Sequence, residues 1–166
     1  MFKNIPRRFI KEKEAKRLLV DFSQRISSDP RNLFGSKPRV EMAKINDLEI
    51  IFVDGKPLLA KSHDIFVPTL VFDSAITLFS KIVINMGAVP YVCNGADIMA
   101  PGVVRIEGDF KKDDFLLIID ERHGKSLGIG TALFDSQTMN SLNHGRIVRN
   151  HHFVGDKIWG LIRKVV

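Results

Sequence analysis

The chain has 166 residues, 45% of them apolar, and a mean hydropathy of +0.01, enough for one medium or two small folded domains; no apolar run approaches the roughly 18 residues of a membrane-spanning helix. A net charge of +6 favours an anionic partner, nucleic acid first, and the single cysteine, Cys93, excludes an internal disulfide or a cysteine-rich zinc site. No apolar signal-peptide core follows the charged N-terminus, so the expected compartment is the cytoplasm.

Residues 1–17 carry Lys3, Arg7, Arg8, Lys11, Lys13, Lys16 and Arg17 against Glu12 and Glu14, so five of the six net charges lie there. From about Arg8 to Ile26 the residues Ala15, Leu18, Leu19, Phe22 and Ile26 recur at helical spacing, which predicts one amphipathic helix. Ser27-Ser28-Asp29-Pro30 ends it, because the residue before proline is pushed out of the α region. A loop is expected over Arg31–Pro38. Val40–Ile45, Leu48–Val53 and Lys56–Lys61 then read as a β-meander joined by the turns Asn46-Asp47 and Asp54-Gly55. Pro57 points to a free edge on the third strand at that point, and Ile65–Val67 offers a fourth strand. Residues 69–79 fit either a helix or a packed connection, and a domain boundary is placed near Ser80 with no flexible linker.

The second half predicts a strand at Lys81–Asn85, a short helix at Ala88–Cys93 and a strand at Val103–Ile106. A buried strand follows at Phe115–Asp120, then a glycine-rich extended segment at Leu127–Phe134. Asp135 caps a short helix over Ser136–Leu142, and Gly145–Val154 and Ile158–Leu161 are the last strands. Many short strands with brief helices indicate a small closed or partly closed β-barrel. The stretch Gly87–Val104 holds three glycines and two prolines but only one acid, Asp97, and one thiol, Cys93, which suits a binding surface better than a catalytic pocket.

Three partial matches to catalytic motifs fail on their residues. Lys125–Leu133 (KSLGIGTAL) resembles the acyl-CoA loop of acetyltransferases, but helix chemistry restarts only at Asp135-Ser136 and the segment alternates like a strand. Gly128-x-Gly130 lacks the third glycine of a dinucleotide fingerprint, because position 133 is Leu. His63, His123, His144, His151 and His152 form no metal-ligand spacing, and Asp120 and Glu121 fit a charged hairpin turn.

Gly87-Ala88, then Asn94-Gly95-Ala96-Asp97-Ile98-Met99, Pro101-Gly102-Val103, the strand pair Leu116–Asp120 and Gly128–Leu133, and the short helix ending at Gly145 form one pattern up to Trp159. On these residues the segment 81–162 resembles a PUA domain, the RNA-binding module named after pseudouridine synthases and archaeosine transglycosylases. Among PUA proteins the chain is most similar to the family of the eukaryotic malignant-T-cell-amplified translation factor and its small archaeal relatives. The resemblance implies an α+β protein. A small N-terminal α/β domain (1–80), a helix packed on an antiparallel meander, precedes a C-terminal PUA-like β-barrel with short helices (81–166).

It also implies a non-enzymatic, ribosome-associated RNA-binding protein of initiation, re-initiation or recycling. The expected partners are the small ribosomal subunit, the tRNA acceptor end or rRNA, and a protein partner through the N-terminal domain. An accessory subunit guiding a tRNA- or rRNA-modification enzyme is the second reading. No cofactor, metal or catalytic residue is expected. RNA contacts are placed at Lys81, Gly87, Ala88, Asn94, Gly95, Ala96, Asp97, Met99, Pro101, Gly102, Arg105, Arg146 and Arg149. Gly95 and Gly102 are expected to resist side chains, through positive φ or a phosphate against the Cα. The two halves are expected to pack rigidly, with the isolated 80–166 half still binding RNA.

Overall fold

In the computed structural model, which describes residues 5–166, the first half builds one antiparallel sheet. Its strands are β1 (Arg7–Phe9), β2 (Val40–Ile45), β3 (Leu48–Val53), β4 (Lys56–Ser62) and β5 (Ile65–Pro68), in the order β1-β2-β3-β4-β5. The hairpin turns have the expected backbone: Asn46 (φ 53°), Asp54 (50°) and Gly55 (82°) are left-handed. A turn without an obvious signal, His63-Asp64 (49° and 67°), joins β4 to β5. Two helices, α1 (Glu12–Arg25) and α2 (Pro30–Phe34), lie in the connection from β1 to β2, and α3 (Asp73–Ile76) lies in the apolar segment 69–79.

Two segments of the first half depart from the expected pattern. Arg7–Phe9 is not the first turn of the helix but an edge strand paired with Glu41–Ala43. The Arg7 guanidinium lies 3.9 Å from the centroid of the buried Phe52 ring, so its stem and charge cover that aromatic. Arg31–Pro38 begins as the helical turn α2, because Asp29 accepts the Arg31 N–H (2.8 Å) as its cap. The free edge expected at Pro57 is present: β4 is an inner strand, but β5 first pairs with it at Leu59, so Pro57 is paired on one side alone, opposite Phe52. Of the basic cluster, Lys3 lies outside the described residues.

The second half builds a curled six-stranded sheet from β6 (Ser80–Ile84), β7 (Ile98–Met99), β8 (Val103–Glu107), β9 (Phe115–Asp120), β10 (Ser126–Ala132) and β11 (Arg146–Phe153). The order is β7-β11-β10-β9-β6-β8, antiparallel except for the parallel β6–β9 pair. β7 and β8 are opposite edges, yet only Ala100–Gly102, one 3-10 turn, separates them in sequence. Four residue steps reach about 14 Å at most, so the sheet must curl until its edges meet. Between the strands sit α4 (Val89–Val92) and α5 (Ser136–Ser141), the latter capped by Asp135, which accepts the Thr138 N–H (2.7 Å).

The predicted last strand, Ile158–Leu161, is instead part of a helix, α6 (Lys157–Val165). Asp156 accepts the Trp159 N–H (2.6 Å) as its cap, and Ile158, Leu161 and Ile162 fall on one buried face. That face packs on the N-terminal sheet against Ala43, Ile50, Phe52 and Ala60. The opposite face of the same sheet (Ile51, Val53, Leu59, Val67) shares a core with Leu19 and Phe22 of α1 and with Phe115, Leu117, Ile119 and Ile129 of the curled sheet. Strands buried on both faces explain the unbroken apolar runs IIFV (residues 50–53) and FLLII (residues 115–119). The curl encloses a second core, including Ile82, Ile84, Leu116, Ile118, Ile147 and Val148. Because the shared core and α6 tie the halves together, an isolated 80–166 fragment exposes apolar surface that the whole chain buries. Among the described residues no helix is long and apolar enough to cross a membrane.

Candidate nucleic-acid interface

The glycine- and proline-bearing stretch forms the seam at which the curled sheet meets itself. Three local features place it there. Asn85 N–H donates to Gly102 O (2.9 Å), Asn85 Nδ2 to Pro101 O (3.4 Å), and Ala100 N–H to Gly145 O (2.8 Å). Asn85 Oδ1 accepts the Ala88 N–H (2.9 Å), which starts α4 with Pro90 in its first turn. Gly87, Pro90 and Pro101 are exposed. So are the large apolar side chains of Tyr91 (72%), Met99 (50%) and Val104 (47%). Tyr91 was not singled out from sequence. Its signal was its place in VPYV, where Val92 turns inward and Tyr91 outward.

The glycines serve different ends. Gly95 has φ +96°, as expected, and a side chain there meets the Phe153 ring; its own N–H donates to Val92 O (3.1 Å). Gly102 has ordinary φ, and an added Cβ lies 3.1 Å from the Ala88 Cβ. Gly102→Val therefore disturbs the seam itself and separates binding from folding poorly.

Asp97 is the structural hub beside this seam. Its Oδ1 accepts the Asn150 N–H (2.8 Å) and its Oδ2 the Arg146 guanidinium (3.1 Å), which holds the 94–97 turn onto β11. Asn150 Nδ2 donates to Val92 O and Ala96 O, both at 3.0 Å. Asp97→Ala leaves a part-buried strand N–H without its acceptor and is expected to lower stability by about 2 kcal/mol. Urea denaturation at neutral pH measures it, and an unchanged midpoint would show that the hub carries no load.

Eleven of the thirteen predicted contact residues thus fall into two groups. Gly87, Ala88, Met99, Pro101 and Gly102 lie on the seam; Asn94, Gly95, Ala96, Asp97, Arg146 and Arg149 surround the turn against β11, with Met99 opposite Arg146 joining the two. Lys81 and Arg105 sit apart, on β6 and β8, where Lys81 faces Glu107 across the pair and Arg105 Nε bonds Glu107 Oε1 (2.9 Å). That exposed pair weakens Arg105 as a phosphate ligand only slightly.

The other motifs resolve structurally. Ser126–Ala132 is a strand paired on both sides, and a Cβ on Gly128 or Gly130 collides with the carbonyls of His152 or Arg149. These glycines permit close strand approach, and the acyl-CoA loop reading fails because the strand runs on through Gly130 to Ala132 and only the short α5 follows, from Ser136. Asp120 accepts N–H bonds from His123, Lys125 and Arg122, which hold its carboxyl below the usual range and close the hairpin turn. His151 and His152 do point apart. His151 meets Ser62 Oγ (3.1 Å) and Thr131 Oγ1 (2.9 Å), while His152 accepts the Leu70 N–H (3.2 Å) and bonds Asp156 (2.8 Å). Both stitch the two halves together.

A PUA-domain family model matches residues 80–154, and a model described as a domain of unknown function (DUF1947) matches residues 6–72. The chain is 33% identical to the uncharacterized protein MJ1432 of Methanocaldococcus jannaschii over 154 residues, 92% of this chain and 94% of that one. It is 26% identical to translation machinery-associated protein 20 of Saccharomyces cerevisiae over 135 residues, 76% of this chain and 75% of that one. The crystal structure of a PUA domain from Aeropyrum pernix K1, a tartrate complex, superimposes with a TM-score of 0.78 at 28% identity, covering 95% of this chain and 91% of that one. The chain belongs to the PUA-domain family of RNA-binding proteins, as a relative of the malignant-T-cell-amplified and translation machinery-associated proteins and of small archaeal PUA proteins.

Proposed function

We propose that this protein is a non-enzymatic, cytoplasmic RNA-binding translation factor that joins the small ribosomal subunit to a tRNA acceptor end or to rRNA. The observation that carries this reading is the seam. It presents an exposed aromatic, Tyr91, with Arg146 and Arg149 on the neighbouring strand. Base stacking on an aromatic contributes about 1–3 kcal/mol per base, and arginines supply the phosphate contacts. The likeness to translation machinery-associated protein 20, which runs through most of both chains, supports the ribosomal setting.

The division of labour follows the layout. The C-terminal half (81–166) holds RNA, and the N-terminal half (1–80) holds the ribosome or a protein partner. Lys13, Lys16 and Arg17 are exposed on α1, with Lys13 and Arg17 one helical turn apart. Beside them a groove of about 830 Å³, bordered by Phe9, Ile10, Leu19 and Phe34, suits a partner's apolar side chain. Replacing Lys13, Lys16 and Arg17 together by Gln is expected to weaken association with purified small subunits by on the order of tenfold. Co-sedimentation of full-length parent and variant tests this. A variant that sediments like the parent reduces α1 to a solvated helix face and removes the ribosomal half of the reading.

A further inference from the structure

We propose that the groove between α1, α2 and the end of β1 takes an extended, acidic segment of a partner protein, which pairs with the free edge of β1 and lays alternate apolar side chains into the groove. This site rests on the reading that the N-terminal half docks a partner, and it fixes that partner's charge and shape.

The groove has an apolar floor and a cationic rim. Ile10, Ala15, Leu19, Phe34 and Val40 form the floor, and all five are buried. Phe9 stands at the mouth, 61% exposed, with the Arg39 guanidinium 4.7 Å from its ring centroid. Lys16, Arg31 and Lys37 are exposed on the rim, and among the described residues none of them has an ion-pair partner within 4.0 Å. Of the two carboxylates there, Asp29 already accepts the Arg31 N–H as the cap of α2. Glu12 sits in the first turn of α1, where the helix's own N–H groups favour it. Three uncommitted cations therefore remain, and they complement an acidic partner. The floor separates a peptide from a nucleic-acid strand. A phosphate gains nothing from Ile10, Leu19 and Val40, whereas a Leu, Val or Phe side chain leaves water there.

β1 supplies the main-chain contact. It is the outermost strand of its sheet, and among the described residues no strand pairs with its far side. Ile10 N–H donates to Val40 O (3.3 Å), and Arg8 lies opposite Met42. Bonding alternates along an antiparallel strand, so the Phe9 N–H and C=O point away from β2. An added strand bonds at that edge and turns every second side chain to one face. Phe9 and Ile10 belong both to this end of the strand and to the groove wall, which makes the two contacts continuous.

The test uses the full-length protein and fluorescence anisotropy with the labelled peptide EDLVFDED. Two controls are KKLVFKKK, which keeps the apolar centre, and EDSSSDED, which keeps the charge. The first peptide is expected to bind about tenfold more tightly than either control. Arg31→Glu combined with Lys37→Glu, both at exposed positions, is expected to weaken its binding by about tenfold. In the complex the Phe9 amide is expected to exchange its hydrogen about tenfold more slowly than in the free protein. Equal binding of the three peptides, a double variant that binds like the parent, or unchanged Phe9 exchange each overturns the site. Displacement of the peptide by a short oligouridylate assigns the groove to nucleic acid and likewise overturns it. A parent that binds no peptide yet sediments with small ribosomal subunits overturns the peptide site alone, whereas one that does neither overturns the ribosomal reading with it.

Discussion

Between pH 7 and pH 4 the folded protein is expected to lose about 3 kcal/mol of stability through one side chain, His151. The imidazole is 8% exposed, and burial, followed by the nearby His63, Arg149 and Arg25, pushes its pKa down to about 4, with Asp97 opposing. An unfolded histidine titrates near 6.5. The native state thus binds fewer protons than the unfolded chain across this interval. The stabilisation is fully present above about pH 6.5 and is lost as pH falls toward 4, at about 1.4 kcal/mol per unit. The depressed carboxyls of Asp120 and Asp135 act in a different window, since their contribution fades only below about pH 4. Urea denaturation at intervals from pH 7 to pH 4 measures the slope. His151→Gln, which retains hydrogen-bonding atoms toward Ser62 and Thr131 but does not titrate, is expected to flatten it. An equally steep variant would place the acid sensitivity elsewhere. The same substitution loosens the bridge between β4 and β11, so its stability at pH 7 is also expected to fall.

Much of this architecture was legible because local and tertiary preferences agree. The meander over residues 40–62 carries its own turn chemistry at Asn46 and at Asp54-Gly55, and the structure keeps those bounds within one residue. Asp135 capped its helix as read, since a cap is a local bond. The errors lie where a neighbour in space decides. Arg7–Phe9 becomes a strand because the edge of β2 is open to it. Ile158–Leu161 becomes helical because Asp156 caps it and the N-terminal sheet receives its apolar face; four residues of pattern cannot separate those periods. The seam residues were singled out in advance, since glycine and proline mark an unusual backbone. Their geometry was not, because the meeting of β7 and β8 is a property of the whole curl. His63 and Asn150 were missed for the same reason. One lies 87 positions from the other in sequence, and only packing the two halves together brings them around one cavity.

RNA affinity of the full chain is expected to fall by about 20- to 100-fold between 50 and 200 mM salt. Arg146, Arg149, Lys81 and Arg105 with the seam backbone allow roughly three to five phosphate contacts, each adding about −0.7 to the log–log slope for a single strand. The slope is therefore about −2 to −3.5, shallower than that of a protein held by charge alone over a long duplex, because Tyr91 stacking and close backbone contact at the seam are insensitive to salt. The decisive measurement is equilibrium binding of the full-length protein to a tRNA acceptor-stem RNA with an unpaired 3′ end across that salt range, beside a Tyr91→Ala variant. The account predicts this slope in both proteins, with the variant weaker by on the order of tenfold at every salt concentration. Affinity that stays flat with salt, or a Tyr91→Ala protein that binds like the parent, would contradict the assignment of the seam as the RNA-binding surface.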